Sequence, residues 1–482
     1  MSTFPPAQPP LWAQPLSTRK APLPFLKASV FVVLFNAGIL LVFGLLVLLL
    51  PLRIVRRTRP LYVRFGKGAF GTLLVLVGEW FAPTEMVVSA GEGVDASKIV
   101  ELDEAGEVRK LNLPSRGIWT PNHSTLIDWL YVWIFAYSSG HHDALYIALK
   151  SSLRRIPIIG WSAQLFNFVF LDRKWETDRA NFQHQLARLA RTTVDGGEGE
   201  KAALLLFPEG TIETENTRGI SSKFAEKTGQ KDFEYLLLPR STGLFFSLRQ
   251  LALHFPTLSL VDLTLGYPVP RQPPSSSSSS STPQLASDYY DIPSVLLFST
   301  PPPELHIHIR VFPLSSIPLG DLKALKEDPD RDCTEEERKE FEGWLRERWE
   351  EKDGLLERFR REGSFVRAEE KEEGKEKQGA GEESDEEDDE DGRRKGEYVW
   401  RPHLRQAWWE TLYAFSFFLP VAVGLLLWTY RSTLVGLVGL AAGGVRGEVK
   451  EKTCGCAKLA AQRAVGTLQA AAVAAGRVGG EF

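Results

Sequence analysis

Ala202-Ala203-Leu204-Leu205-Leu206-Phe207-Pro208-Glu209-Gly210-Thr211 runs six apolar residues into a proline, a carboxylate, a glycine and a hydroxyl. A short apolar run closed by turn residues reads as a buried strand, here 202–207, rather than as a helix. Polar groups on the turn leaving such a strand stand where open α/β sheets gather their ligands. Working outward, Ile118-Trp119-Thr120 is another short apolar run, ending at Pro121-Asn122-His123, and 145–149, 235–238, 258–266 and 305–312 read as further strands. Residues 126–137 read as an apolar helix capped by Ser124 or Thr125, and 175–191 as a polar helix. Strands alternating with helices predict an α/β domain with a mostly parallel sheet over about 90–325.

The 482 residues are 43% hydrophobic, but the charge is segregated. Residues 369–391 carry 14 Asp and Glu against 3 Lys, a net of −11. With a total of −4, the remainder carries +7 (−4 minus −11), a mildly basic body suited to phosphate-bearing partners and membrane surfaces. No basic cluster interleaved with aromatic residues points to nucleic acid. Three cysteines, Cys333, Cys454 and Cys456, are too few for a disulfide framework, and Cys454-Gly455-Cys456 lacks zinc-site spacing, so no metal site is expected. His306, His308 and Arg310 share one face of an alternating strand, read as solvated, and His141-His142 is read the same way.

Residues 30–50 hold no charge, and 21 residues at about 1.5 Å each match a bilayer core. Arg53, Arg56, Arg57 and Arg59 follow, which predicts a transmembrane helix with its C-terminal side in the cytosol. Residues 68–83 are shorter and broken by Glu79, so they read as re-entrant or interfacial. One or two C-terminal membrane segments are expected over 408–444, edged by Trp408 and Trp409. Residues 1–29 and the proline- and serine-rich 270–293 read as disordered, 326–367 as a charged helix docked on the surface, and 368–398 as an acidic linker.

His123 and Asp128 are five residues apart at the start of a helix. A carboxylate one turn along can reach back to the imidazole, fix its tautomer and leave the other ring nitrogen to take a proton from an alcohol. Gly210 lets a phosphate approach backbone N–H groups, and Arg173 and Lys174 bring cations to the end of an aromatic run.

Asn122-His123-Ser124-Thr125-Leu126-Ile127-Asp128-Trp129, the 160–179 stretch, Phe207-Pro208-Glu209-Gly210-Thr211 and Leu238-Pro239-Arg240 resemble, in order, the four blocks of the glycerolipid acyltransferases of the lysophosphatidic acid acyltransferase superfamily. Thr214-Glu215-Asn216 and Phe224-Ala225-Glu226-Lys227 make the resemblance closest to the lysocardiolipin/lysophosphatidylinositol branch. It implies a glycerolipid-acyltransferase-like domain flanked by N- and C-terminal membrane helices, resident in the endoplasmic reticulum membrane. It further implies His123 as general base and Asp128 as its orienter. Asn122, Arg173, Phe207, Pro208, Glu209, Gly210, Thr211, Pro239 and Arg240 are implied in binding lysophospholipid and acyl-CoA, the latter as co-substrate with no further cofactor. Ile212 stands where many phosphatidate-forming relatives carry Arg, which favours acceptors with larger head groups and leaves the phosphate to Arg173 or Arg218. The alternatives are a non-catalytic lipid-binding protein and an acyl-CoA thioesterase on the same fold.

Overall fold

A computed structural model describes residues 9–20, 24–91, 94, 96–197, 199–270, 284–329, 331–367 and 394–404. The expected C-terminal membrane segments at 408–444, the serine run and most of the acidic linker lie outside the described residues.

The core is a mixed α/β sheet in the order β10-β1-β9-β8-β4-β7-β5-β6. Its strands are β1 (Glu85–Ala90), β4 (Arg116–Pro121), β5 (Leu145–Lys150), β6 (Val169–Leu171), β7 (Ala202–Leu205), β8 (Ser259–Gly266), β9 (Glu304–Pro313) and β10 (Glu397–Trp400). The separate pair β2 (Val100–Leu102) and β3 (Val108–Leu111) forms an antiparallel ribbon. Only the β8–β9 and β1–β10 ladders of the main sheet are antiparallel; the others run parallel. The parallel middle, β8-β4-β7, is buried on both faces, which is why β7 reads as an uninterrupted apolar run. Its three strands deliver Gly266, Pro121 and Leu205 at one edge of the sheet.

The helices that matter to the site are α1 (Phe25–Leu48), α2 (Arg59–Phe81), α3 (Asp128–Ser138), α4 (Ile159–Leu165), α5 (Trp175–Gly196), α6 (Glu215–Thr228), α7 (Ser241–Ala252) and α8 (Glu335–Glu362). Helices α1 and α2 are each long and apolar enough to cross a membrane, and they differ in cover: 22% of the apolar window of α1 is buried, against 78% of that of α2. The region expected as a short interfacial piece at 68–83 is thus the second half of a 23-residue helix. Glu79, the charge that breaks the apolar run, accepts the Leu404 N–H, and Arg64 in the first half of the helix pairs with Asp143 and Glu200.

The domain also exceeds 90–325. Strand β1 precedes that range, and β10 returns from far down the chain to pair with β1, so the acidic linker stops short of Glu397. Residues expected to be disordered at either end of their segments are docked instead. Arg19 donates to the Tyr289 carbonyl (2.8 Å) and Thr300 Oγ1 (3.1 Å), and Leu285, Ala286, Tyr289 and Tyr290 are buried. Composition dominated by serine and proline hides these few apolar anchors. Residues 235–238 form no strand, because their amides are taken by side chains: Tyr235 N–H by Asp353, Leu237 N–H by Glu209 and Leu238 N–H by Ser221.

Helix α8 lies across the sheet with Phe341, Leu345, Trp349, Leu356 and Phe359 buried. It covers the face of β9 that alternation marks as polar, so His306 and His308 are buried, not solvated. His306 lies 4.9 Å from the Phe359 ring, and His308 Nδ1 is 2.9 Å from Ser89 Oγ. Burial, then the Arg310 charge, lowers the His308 pKa to about 4. His141 is buried likewise, its pKa lowered to about 4 by burial and then by Lys201.

The fully buried Lys352 of α8 pins the centre of the sheet. Its Nζ pairs with Asp262 of β8 (2.6 Å) and donates to the Thr120 and Leu263 carbonyls (3.0 Å each). Burial raises the Asp262 pKa, but Lys352 and Arg310 outweigh it and hold the group below its ordinary value. Removing one partner of a buried pair costs about 3–5 kcal/mol, because the other charge stays behind. We expect Lys352→Met to lose stability near the lower end of that range, since Arg310 still faces Asp262 (2.7 Å). Chemical denaturation of Lys352→Met beside the exposed Lys339→Met checks this; equal stability of the two variants would contradict it.

Candidate active site

The polypeptide leaves β4 at Pro121 and turns through Asn122 and His123 before α3 begins at Asp128. The helix therefore starts two residues later than the expected 126, and neither Ser124 nor Thr125 is its N-cap; Ile127 holds that position. The cause is local. The Thr125 hydroxyl donates to Asp128 Oδ1 (2.8 Å) and accepts from the Ile127 N–H (3.3 Å), which holds the turn outside the helix. Asp128 is then the first helical residue, where the helix dipole favours a negative charge.

The Asp128 carboxylate is fully buried. It accepts from Thr125 N–H (3.0 Å), Thr125 Oγ1 (2.8 Å) and the Tyr267 hydroxyl (2.7 Å), and His123 Nδ1 lies 2.9 Å from Oδ2. An ionised carboxylate only accepts, so Nδ1 carries the proton and Nε2 keeps its lone pair. Burial, then the Asp128 charge, raises the Tyr267 pKa well above its ordinary value, so this phenol remains a donor. The His123 side chain retains 19% exposure, and its ring stacks on Phe207 with centroids 4.1 Å apart. The Asp128–His123 pair, with Nε2 of the ring open, can accept a proton from a hydroxyl arriving at the sheet edge.

Phe207, Pro208, Glu209 and Gly210 leave the adjacent β7 and meet this turn. Glu209 does not face the opening. Its Oε1 accepts the His123 backbone N–H (3.1 Å) and Oε2 the Leu237 N–H (3.4 Å), and the residue is buried. Burial, then the Glu213 charge, raises its pKa to about 8. Its place among binding residues is thereby corrected: it ties three loops together behind His123. Asn122 is likewise turned inward, donating to Ser124 Oγ (2.9 Å) and the Leu265 carbonyl (3.1 Å) and accepting from Leu265 N–H (2.7 Å). It continues the β4–β8 pairing with a side chain in place of backbone.

The Pro208 carbonyl accepts the Arg240 N–H (2.8 Å), which brings Pro239 and Arg240, at the entry to α7, beside the Gly210 turn. Gly210 has φ +74°, and a Cβ there would sit 3.4 Å from Arg240 Cδ and Nε, so the arginine stem lies directly over this glycine. Thr211 follows on the rim, half-buried. Partial burial, then the Arg240 charge, lowers the Arg173 pKa, so these two guanidiniums are neighbours. Among the described residues neither has a hydrogen-bond or ion-pair partner. Arg218 is different: it pairs with Glu213 and donates to the Phe233 carbonyl (2.9 Å), so it is occupied internally. Among the described residues no group of three or more His, Cys, Asp and Glu side chains is disposed to hold a metal ion.

Tyr267 was not marked by its sequence pattern, and Thr125 was read as a cap rather than as a partner of Asp128. Tyr267 could have been found by position, since it directly follows the last residue of β8, the strand beside β4.

The acyltransferase family model matches residues 107–266, the stretch that contains β4, β7, β8, His123, Thr125, Asp128, Glu209 and Arg240, and that ends one residue before Tyr267. An uncharacterized acyltransferase of Schizosaccharomyces pombe is 33% identical over 304 residues, covering 63% of this chain and 76% of the relative. The chain belongs to the acyltransferase family. The 2-acyl-1-lysophosphatidylinositol acyltransferase of Saccharomyces cerevisiae is 34% identical over 283 residues, 53% of this chain and 64% of that protein. Lysocardiolipin acyltransferase 1 of Danio rerio is 32% identical over 244 residues, 51% of this chain and 52% of its own length. The match thus spans about half the length of the lysocardiolipin relative and under two thirds of the yeast one.

In this acyltransferase the raised Glu209 pKa ties stability to pH. A folded-state pKa near 8, above the ordinary 4.5, means the folded protein holds the proton more tightly than the unfolded chain. The contribution is present in full below about 4.5 and is lost as pH rises through about 8. We expect Glu209→Gln, which resembles the protonated form, to flatten the fall in melting temperature across that window. Parallel melting curves at each pH for both proteins give the test, and identical slopes would contradict it.

Proposed function

We propose that the protein is an acyl-CoA:lysophospholipid O-acyltransferase, esterifying the free hydroxyl of a lysophospholipid. The observation that carries this is the His123–Asp128 contact, with the carboxylate saturated by Thr125 and Tyr267 so that only His123 Nε2 is left to act. Nε2 takes the proton of the acceptor hydroxyl while its oxygen bonds to the thioester carbonyl carbon. The tetrahedral intermediate collapses, the C–S bond breaks, and the proton on Nε2 passes to the departing CoA sulfur. The Asp128 carboxylate stabilises the imidazolium formed in between. The unpartnered Arg173 and Arg240 beside Gly210 suit the acceptor phosphate or the CoA phosphates. Ile212 is uncharged and Arg218 is held by Glu213, so neither position adds a free cation to the rim, which favours a phosphodiester over a phosphomonoester. The lysophosphatidylinositol acyltransferase of Saccharomyces cerevisiae and the lysocardiolipin acyltransferase of Danio rerio, both similar to this chain, support the same acceptor class. Helix α1, largely uncovered by protein, is read as the membrane anchor, with the site on the cytosolic side because of Arg53, Arg56, Arg57 and Arg59. Residence in the endoplasmic reticulum belongs to the same reading.

We expect His123→Ala to lower transfer by about 10²–10⁴-fold in folded protein, the usual worth of a general base. Wild-type protein should use lysophosphatidylinositol at least as well as lysophosphatidic acid. Acyl transfer by purified protein from radiolabelled oleoyl-CoA to a panel of lysophospholipids tests both. Near-normal turnover in His123→Ala would remove the mechanism, and acylation of lysophosphatidic acid alone would remove the assignment to phosphodiester acceptors.

A further inference from the structure

A cavity of about 630 Å³ lies between the C-terminal end of α1, helix α4 and helix α5, and His123 is not among its lining residues. Its inner wall includes Phe170 of β6, three strands from β4 across the sheet, roughly 14 Å at the usual strand spacing. Phe43, Val47 and Trp161 give it an apolar side, and the Phe43 and Trp161 rings lie 5.9 Å apart. Arg53, Arg154 and Arg188 give it a cationic side, and no lining residue is acidic. Three guanidiniums around one cavity repel one another unless an anion enters, and burial together with Arg53 and Arg154 lowers the Arg188 pKa.

The arginines are placed by the fold. Arg53 donates to Asn167 Oδ1 (3.1 Å) and the Gln164 carbonyl (3.4 Å). Arg154 Nε donates to Gln164 Oε1 (2.9 Å), and Gln164 Nε2 donates back to the Arg154 carbonyl (3.1 Å). The turn can approach α4 this closely because residue 160 is glycine: a Cβ would fall 2.7 Å from the Arg154 carbonyl oxygen. Arg188, a lining residue, has a buried Nε with no hydrogen-bond partner among the described residues. Of the apolar residues that line the cavity, Val47, Leu50 and Trp161 are exposed. A soluble anion has no use for such a lining; a lipid whose chains stay in the bilayer does.

We propose that this cavity holds the phosphate of an anionic phospholipid of the surrounding bilayer, a lipid site separate from the reaction centre. The phosphate takes the open donors of Arg154 and Arg188, and the acyl chains run along Phe43 and Val47 into the membrane. The inference rests on the reading of α1 as a membrane anchor, which is tested separately by flotation of wild-type protein with vesicles of phosphatidylcholine alone.

Native mass spectrometry of the purified full chain, titrated with dioleoylphosphatidylglycerol or dioleoylphosphatidylcholine, tests the site itself. Wild-type protein should retain phosphatidylglycerol about tenfold or more over phosphatidylcholine, the scale of one or two charge-assisted hydrogen bonds. Arg154→Gln with Arg188→Gln should abolish the preference. Arg154→Gln alone, on an exposed turn, should weaken it should the double variant fold poorly. Arg56→Gln, which removes an exposed pair with Asp195 outside the cavity, should keep it. An unchanged preference in Arg154→Gln and in a folded double variant, or an equal loss in Arg56→Gln, would overturn the proposal. Displacement of the lipid by inorganic phosphate or by CoA would overturn it as well, assigning the cavity to a soluble anion. Lipid retention is read without turnover, so the result stands apart from that of His123→Ala.

Discussion

A carboxylate sealed from water must have its lone pairs satisfied, and Asp128 meets that demand with four donors from three directions. Each donor fixes a part of the site. Thr125 sets where α3 begins. Tyr267 ties the end of β8 to the start of that helix. His123 receives both its orientation and its tautomer. These groups reach one carboxylate only because β8 and β4 are parallel neighbours that end together. The parallel centre of the sheet and the chemistry at its edge are thus one constraint seen at two scales.

A second layer supports the first. Glu209 holds the His123 backbone in place from behind, and Lys352 locks β4 to β8 from beneath α8. Both are buried ionisable groups with no access to substrate. Positioning of this kind leaves the exposed rim to side chains that are free to bind, Arg173 and Arg240 among them. Around His123 the acids Asp128 and Glu209 are turned inward onto N–H and O–H donors, while Arg173 and Arg240 have no partner among the described residues.

The parallel strands and the His123–Asp128 pair were legible in the sequence because each depends on short-range pattern: an apolar run, a turn residue, a fixed spacing. What was not legible depends on partners far along the chain. Alternation marked His306 and His308 as a solvated face, yet α8, whose Phe359 packs on His306 from far along the chain, covers them. Residues 235–238 looked like a strand until Asp353, Ser221 and Glu209 claimed their amides. Glu209 looked like a ligand group because a carboxylate beside a glycine on a turn usually faces solvent; only burial shows that it faces backbone. The anchors at Leu285, Tyr289 and Tyr290 were masked by the serine-rich composition around them. Conversely, the lipid-facing cavity combines Arg53, Arg154 and Arg188, three residues with no shared motif, and no reading along the chain could have joined them.

The base at His123 Nε2 could activate water as readily as an alcohol, so the partition between transfer and hydrolysis is where the account is most exposed. The direct measurement is product stoichiometry: free CoA, diacyl phospholipid and free fatty acid quantified together from oleoyl-CoA and lysophosphatidylinositol with purified wild-type protein. One phospholipid per CoA released, with CoA release dependent on the lysolipid, is the predicted result. CoA release matched by free oleate, and unchanged when the lysolipid is left out, would contradict it.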